Sequence, residues 1–194
     1  MVRTAFILFF LGAVIGTLGD LCHVLSFTDG YANAFLPLPT GQPLWVPFLF
    51  GGATMAIGLG HPWADRVLFS KWKRIKLHKK QIILGGISFH ILYSISGFLP
   101  LEPTLFRDIS MMLGAIATWL AFDRSTPGIL LAIVTAGAGT AFEINLVRQG
   151  GFYYYPHSSQ LMGVPTWLPW LYVTASITVG NIGRYLQPSK PRRT

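Results

Sequence analysis

The segments PLWVPFLFGGATMAIG (residues 43–58) and PTWLPWLYVTASITVG (residues 165–180) decide the fold, because the second repeats the first at a constant offset of 122 positions (165 − 43). Each begins with Pro-x-Trp-x-Pro and continues as an apolar run without charge. Proline is accepted in the first turn of a helix, where its missing N–H would have had no partner. Tryptophan anchors helices at membrane interfaces. The repeat therefore predicts two similar helices that enter a membrane from the same side, each with its tryptophan at headgroup depth.

The composition of the whole chain supports a membrane environment. Of its 194 residues, 52% are hydrophobic and only 11% are charged, whereas soluble domains carry about 25% charged residues. The mean hydropathy is +0.50. So little charge cannot cover a water-exposed surface. The single cysteine, Cys22, excludes an internal disulfide and a thiolate metal cluster.

Six segments have the length of a transmembrane helix, about 17 to 25 mostly apolar residues. They predict an all-α integral membrane protein whose residues 1–194 form a single domain, a compact bundle of six transmembrane helices. The ends of the second, fourth and sixth segments are about 60 residues apart, which indicates three stacked helical hairpins. The predicted spans are residues 5–27, 44–60, 81–100, 105–122, 128–147 and 166–186.

The distribution of Lys and Arg predicts the orientation. All but Arg107 and Arg148 of the 15 basic residues lie at the amino terminus, in the loop 61–80, in the turn 123–127 or from Arg184 onward. Because cytoplasmic loops carry the excess of basic residues, both termini are predicted to be cytoplasmic. The basic cluster at 66–80 then marks a cytoplasmic loop beside anionic lipid, and we expect no nucleic-acid partner.

Helices 2 and 6 carry no charge in their apolar runs and are rich in small residues. Small residues let helix backbones approach closely in lipid. We therefore expect these two helices to pack against copies of the chain or a partner, giving a homo-oligomer.

Four ionisable residues lie within predicted spans: Asp20, His23, His90 and Glu143. Such residues are costly in a bilayer and are functional candidates by default. In one interpretation they line a polar part of a lipid-binding pocket, with no catalytic residue. In the alternative, they serve an integral-membrane enzyme or a proton-coupled carrier. The sequence contains no hydrolase, phosphate-loop or metal-ligand motif, so we expect neither a metal nor a cofactor.

Three stretches together resemble the insulin-induced-gene (Insig) family: WVPFLFGGATMAIGLGHPWADR (45–66), WLAFDRSTPG (119–128) and WLPWLYVTASITVGNIGR (167–184). The resemblance implies a non-enzymatic membrane regulator of sterol homeostasis. Eukaryotic members reside in the endoplasmic reticulum membrane and bind an oxysterol within the helical bundle. They also bind membrane proteins with a sterol-sensing domain, namely Scap and hydroxymethylglutaryl-CoA reductase.

By the same resemblance, Phe89, Ser110 and Trp119 correspond to positions that line the family's lipid cavity, and Asp123 to its partner-contacting aspartate. The chain departs from the family around GISFHILYSISGF (86–98), and it lacks the long amino-terminal region of the animal proteins. These departures indicate a minimal homologue of bacterial type. Its ligand would then be another neutral lipid, such as diacylglycerol. The expected location is the cell membrane of a bacterium, or the endoplasmic reticulum membrane of a eukaryote.

Two interpretations of Asp123 remain open at this stage. Ser125 or Thr126 is a natural N-cap for a fifth helix with Pro127 in its first turn, and a carboxylate beside that terminus is stabilised by the helix dipole. Asp123 would then hold a tight hairpin. Alternatively, its carboxylate faces outward from the cytoplasmic rim and meets a partner helix.

Overall fold

The protein is described here by a computed structural model that covers residues 1–32, 36–72, 76–99 and 104–187. Within these ranges the chain forms six α-helices and confirms the predicted all-helical architecture. A two-residue antiparallel ladder between β1 (Asp29–Gly30) and β2 (Tyr153–Tyr154), and a 3₁₀ turn at Pro156–Ser158, are additions to it. The helices are α1 (Val2–Leu25), α2 (Trp45–Val67), α3 (Lys79–Phe98), α4 (Thr104–Phe122), α5 (Thr126–Arg148) and α6 (Leu168–Leu186).

Some sequence features lie outside the described residues. These are two of the basic residues of the loop predicted to be cytoplasmic, the last residue of the third predicted span, and the basic tail: Lys73, Arg74, Pro100 and residues 188–194.

Four of these helices, α1, α3, α4 and α5, are long and apolar enough to cross a membrane. The helices α2 and α6 have similar lengths, 23 and 19 residues, but are not apolar enough by the same measure. The six helices are therefore not equally apolar. The reason is that both helices carry polar residues that are buried against other helices and do not face lipid, among them His61 on α2 and Asn181 and Arg184 on α6.

The helix α6 is the centre of the bundle. It contacts all five other helices, and 12 of its 19 residues are buried. Little of α6 is therefore left to pack against other copies of the chain, because most of its small and polar residues are buried inside the bundle. In an apolar solvent, helices associate through close packing and interhelical hydrogen bonds, which favours such residues at the centre.

Trp167, at the start of α6, is also placed differently from the prediction. Its side chain is only 1% exposed, and its ring packs edge-on against His23 with centroids 5.5 Å apart. It is a core residue and does not anchor the helix at the lipid interface. Trp45, its counterpart on α2, is half-buried and packs against Tyr31.

The helix α2 continues to Val67, seven residues beyond its predicted end, and it contains Pro62 in its interior. Proline cannot donate a hydrogen bond to the carbonyl four residues earlier, here that of Gly58. That carbonyl faces Gly183 of α6, because a Cβ built on Gly183 would lie 1.6 Å from the Gly58 oxygen. The close approach of α6 gives the carbonyl a Cα–H neighbour, which explains why the helix tolerates the proline.

Candidate functional site

A cavity of about 1510 Å³ lies among α1, α2, α3, α5 and α6. Most of its lining is apolar, and the side chains that α4 contributes to the bundle do not reach it. Six of its polar lining residues gather where the C-terminal ends of α1 and α5 meet the β1–β2 ladder: Asp20, His23, Asp29, Tyr31, Glu143 and Tyr154. Other polar residues line the cavity elsewhere, among them His61, Lys79 and His90. The cavity is thus amphipathic, with a polar end and a long apolar body.

Asp20 is held by neutral hydrogen-bond donors. Its Oδ2 accepts from the Tyr31 hydroxyl at 2.9 Å and from the Gln42 side-chain amide at 2.5 Å. Gln42 is fully buried and is itself oriented by Thr40, whose hydroxyl donates to Gln42 Oε1 at 2.8 Å. These contacts tie the loop before α2 to the outer end of α1.

Glu143 is bound by two tyrosines. Its Oε2 accepts from the Tyr154 hydroxyl and its Oε1 accepts from the Tyr172 hydroxyl, both at 2.5 Å. Both carboxyl oxygens therefore already have a donor, and the clamp joins α5 to α6 and to β2. A carboxyl group engaged in this way is poorly suited to act as a general base, which needs an oxygen within reach of the substrate's proton.

His23 is fixed by packing and by one hydrogen bond. Its ring packs edge-on against Tyr93, and its Nε2 lies 2.8 Å from Ser96 Oγ. The Ser96 hydroxyl donates to the Tyr93 carbonyl at 2.7 Å, so Ser96 Oγ accepts from His23 Nε2–H. In the neutral ring this leaves the lone pair on Nδ1, which lies 3.7 Å from Asp29 Oδ2.

Asp29 is the fourth ionisable group of the polar end. It pairs with Tyr154 in the β ladder. Its side chain is 3% exposed, and its Oδ1 has no hydrogen-bond partner among the described residues. Burial raises the pKa of Asp29 well above its ordinary value, and the charge of Glu143 raises it further. The environment therefore favours the neutral carboxylic acid.

This raised pKa predicts how stability depends on pH. Asp29 takes up a proton on folding, so its stabilising contribution is complete below its ordinary value of 3.8 and is lost as the pH rises through the raised value. We expect the melting temperature of the wild type to fall with rising pH relative to that of Asp29→Asn. Thermal unfolding in detergent, from about pH 4 to about pH 9, measures this, and parallel curves for the two proteins would contradict it.

The structure brings five of the sequence-predicted lipid-site residues to the cavity and leaves two outside it. Asp20, His23, Phe89, His90 and Glu143 line it, with Phe89 packed against Tyr93. Two residues on α4, Ser110 and Trp119, are not among the residues that line this cavity, and their part in lipid binding stays a prediction. Their polar atoms contact nearby backbone carbonyls instead, of Phe106 for Ser110 and of Ser125 for Trp119.

Sequence reasoning missed Asp29 and the four partners that bind the carboxyl groups of Asp20 and Glu143, namely Tyr31, Gln42, Tyr154 and Tyr172. Four of them lie in the loops on the side opposite the basic cluster, where aromatic and polar residues are ordinary interface residues. One signal was available. The run FYYY at 152–155 is unusually rich in hydroxyl groups for a loop segment that follows a helix containing Glu143.

A second polar cluster lies at the opposite end of the bundle, between α2, α4 and α6. The Arg184 guanidinium donates to both oxygens of Asp65, at 2.7 and 3.0 Å, and to Asp123 Oδ2 at 3.0 Å. Asn181 orients the arginine, accepting from it at 3.1 Å, and donates to the Phe122 carbonyl at 3.0 Å. This cluster is separate from the cavity's polar end.

Asp123 therefore does not face outward, since its side chain has no exposed area. Its Oδ1 accepts from the Ser125 backbone N–H at 3.0 Å and from the Ser125 hydroxyl. Ser125 caps α5 by accepting from the Gly128 N–H at 3.0 Å, with Pro127 in the first turn. The predicted capping arrangement of this turn is confirmed, and the ion pair with Arg184 is an addition that the sequence did not indicate.

The described side chains include no group of three or more His, Cys, Asp or Glu residues that could hold a metal ion. The polar end of the cavity is instead built from hydroxyl, amide and carboxyl groups.

By its fold and its site, this protein is a helical membrane bundle with a large internal cavity that is polar at one end. The comparison with known proteins gives the family: the chain belongs to the insulin-induced protein (INSIG) family, whose pattern matches residues 86–187. Membership of this family confirms the prediction of a non-enzymatic membrane regulator. It argues against the alternative of an integral-membrane enzyme.

Individual relatives agree over nearly the whole chain. The INSIG protein homolog of Mycolicibacterium vanbaalenii is 29% identical over 192 residues, covering 98% of this chain and 90% of that protein. The insulin-induced gene 1 protein of Danio rerio is 26% identical, covering 96% of this chain and 73% of that protein. The crystal structure of the mycobacterial Insig homolog has a TM-score of 0.88 at 27% identity, covering 99% of this chain and 98% of that one. A cross-linked form of that homolog crystallised as a trimer.

Proposed function

We propose that this protein holds one neutral lipid in its central cavity and acts as a lipid-responsive membrane regulator. The observation that carries the proposal is the amphipathic cavity of about 1510 Å³, whose body is mostly apolar and whose polar end presents uncharged donors and carboxyl groups. Ligand pockets in proteins combine a mostly apolar lining with few oriented polar groups in this way. Either an oxysterol or a diacylglycerol matches this chemistry.

The bound lipid would place its polar head near Asp20, His23 and Glu143 and its tail among the apolar residues of α2, α3 and α5. The carboxyl groups of Asp20 and Glu143 accept only from neutral donors. This arrangement supports an uncharged head over a phosphate, because the six lining residues of the polar end include carboxyl groups but no Lys or Arg side chain that could bind a phosphate.

The protein's orientation and assembly follow as further parts of the proposal. We infer that all six helices of a single domain cross the membrane with both termini in the cytoplasm, as the distribution of basic residues indicates. We also infer a homo-oligomer, supported by the trimer of the mycobacterial relative. The contacts between copies would involve outer faces, for example exposed side chains of α2 such as Phe48. The membrane would be the cell membrane in a bacterium, or the endoplasmic reticulum in a eukaryote.

Family resemblance extends the proposal to a protein partner with a sterol-sensing domain. Because Asp123 is buried against Arg184 and Ser125, we propose that it influences such a partner indirectly, by fixing the rim formed by α2, α4 and α6. Loss of the Asp123 side chain would then impair partner binding only if it also lowers the stability of the bundle.

The proposal predicts that filling the cavity expels the lipid. Gly86 on α3 and Gly52 on α2 line the cavity and have open space where a Cβ would lie. We expect Gly86→Phe and Gly52→Phe each to reduce the co-purified lipid by about tenfold or more, since a phenyl side chain buries roughly 150–250 Å² that the ligand would need. Native mass spectrometry after mild detergent extraction measures the bound lipid and gives its mass.

The matched control is Gly137→Phe on α5, which also has open space around it but does not line the cavity. It should retain lipid like the wild type. A wild-type protein that carries no lipid after mild extraction would refute the proposed function.

A further inference from the structure

The polar end of the cavity contains two hydrogen-bonding atoms that face each other without bonding. His23 Nδ1 and Asp29 Oδ2 are 3.7 Å apart, which is too long for a hydrogen bond. Both residues line the cavity, and both are almost fully buried, at 2% and 3% exposure. The other carboxyl groups here are engaged: Glu143 by two tyrosines, and Asp20 by Tyr31 and Gln42.

Both groups are held rigidly in place. The His23 ring is fixed by Ser96 and by its aromatic neighbours. Asp29 lies in the β ladder opposite Tyr154. The preceding residue, Thr28, is bound on both sides, since its N–H donates to the His23 carbonyl at 2.9 Å and its carbonyl accepts from Tyr155 N–H at 3.1 Å. A buried polar group that is rigid and unpaired costs free energy unless a ligand satisfies it.

The chemistry of the pair is that of an acceptor beside a donor. With Nε2–H donated to Ser96, the neutral His23 ring presents a lone pair at Nδ1. Asp29 is buried, with Oδ1 unpartnered, and its raised pKa favours a carboxylic acid that can donate. A single hydroxyl group donates one hydrogen bond and accepts another, and its oxygen can reach both atoms at about 2.8 Å.

We propose that His23 and Asp29 together bind the free hydroxyl of a neutral lipid, with His23 Nδ1 accepting its proton and Asp29 donating to its oxygen. This inference rests on the proposed function. It adds that the protein selects lipids by a free hydroxyl, so that an ester at the same position is rejected. Two sources carry this chemistry, a diacylglycerol and a sterol.

The test compares lipid pairs that differ only in that hydroxyl. The first pair is dioleoylglycerol and its 3-O-acetyl ester, and the second is cholesterol and its 3-O-acetyl ester. Delipidated protein in detergent is incubated with each lipid, and binding is measured by native mass spectrometry. We expect the wild type to prefer the free hydroxyl by about tenfold in at least one pair, as the loss of a hydrogen bond to a buried group predicts. The pair that shows the preference identifies the class of lipid, diacylglycerol or sterol.

Variants then test the part of Asp29. Asp29→Leu should reduce the preference for the free hydroxyl, because only His23 Nδ1 is then left to bind it, and Asp29→Asn, which keeps a donor, should retain most of the preference. Ser159→Ala is the control, because that hydroxyl in the same outer region bonds only to the Pro156 carbonyl and lies outside the cavity lining.

The wild-type measurement alone can overturn the inference, whether or not the variants fold. Equal binding of both members of each pair would refute hydroxyl selection and leave the proposed lipid-binding function intact. Binding of neither member would refute the proposed function itself.

Discussion

Replacement of Arg184 by methionine is expected to lower the free energy of unfolding by about 3–5 kcal/mol, because it leaves two buried carboxylates without their cation. Arg184 is 7% exposed, and its partners Asp65 and Asp123 are 13% and 0% exposed. The guanidinium binds Asp65 through both oxygens, the geometry in which arginine pairs are strongest. The same arginine links α6 to α2 and to the α4–α5 turn, so its loss loosens both connections together.

Thermal unfolding in detergent, followed by size-exclusion chromatography, measures this effect. The matched control is Arg66→Met, since Arg66 is exposed near the end of α2 and should change stability by less than about 0.5 kcal/mol. Equal stability of the Arg184 and Arg66 variants would show that the buried network contributes nothing.

The same experiment distinguishes the two interpretations of Asp123. If the residue maintains the bundle, Asp123→Ala should also destabilise the protein, though less than Arg184→Met, because Arg184 keeps its two bonds to Asp65. A variant with wild-type stability that has lost partner binding would favour direct partner contact instead.

Replacement of Gly183 by alanine is expected to destabilise the bundle by about 3 kcal/mol or more, at or above the upper end of ordinary overpacking costs. The added Cβ would lie 1.6 Å from the Gly58 carbonyl oxygen and 2.5 Å from its carbon. Both are backbone atoms of α2, so no side-chain rotation can relieve the overlap and the two helices must separate. The separation would also disturb the neighbouring ion pair between Arg184 and Asp65.

The control for this prediction is Gly137→Ala, a helical glycine of α5 with nothing within 4 Å of the added atom. Alanine there should leave stability unchanged or raise it by up to about 1 kcal/mol, through helix propensity. Thermal unfolding of both variants in the same detergent gives the comparison. A Gly183→Ala protein as stable as Gly137→Ala would mean that α2 and α6 are not packed backbone to backbone.

The sequence by itself determined the class of fold, because low charge and long apolar segments leave a chain few alternatives in lipid. It predicted most ends of the six helices to within two residues. It also identified the acidic and histidine side chains of the cavity, since ionisable residues inside spans are rare enough to stand out. The predicted end of α2 was wrong. Pro62 is a local signal for a helix end, but the helix continues past it because α6 packs against Gly58.

Only the tertiary structure decided which side of each helix is buried against the other helices. The repeated segments 43–58 and 165–180 read alike, yet Trp45 is half-buried and Trp167 lies in the core, because α6 is surrounded by five helices and α2 is not. Hydropathy cannot make this distinction, since lipid and protein interior are equally apolar to a side chain. The pairing of Arg184 with Asp65 and Asp123 also became visible only in three dimensions, because these partners are 119 and 61 positions away in the chain.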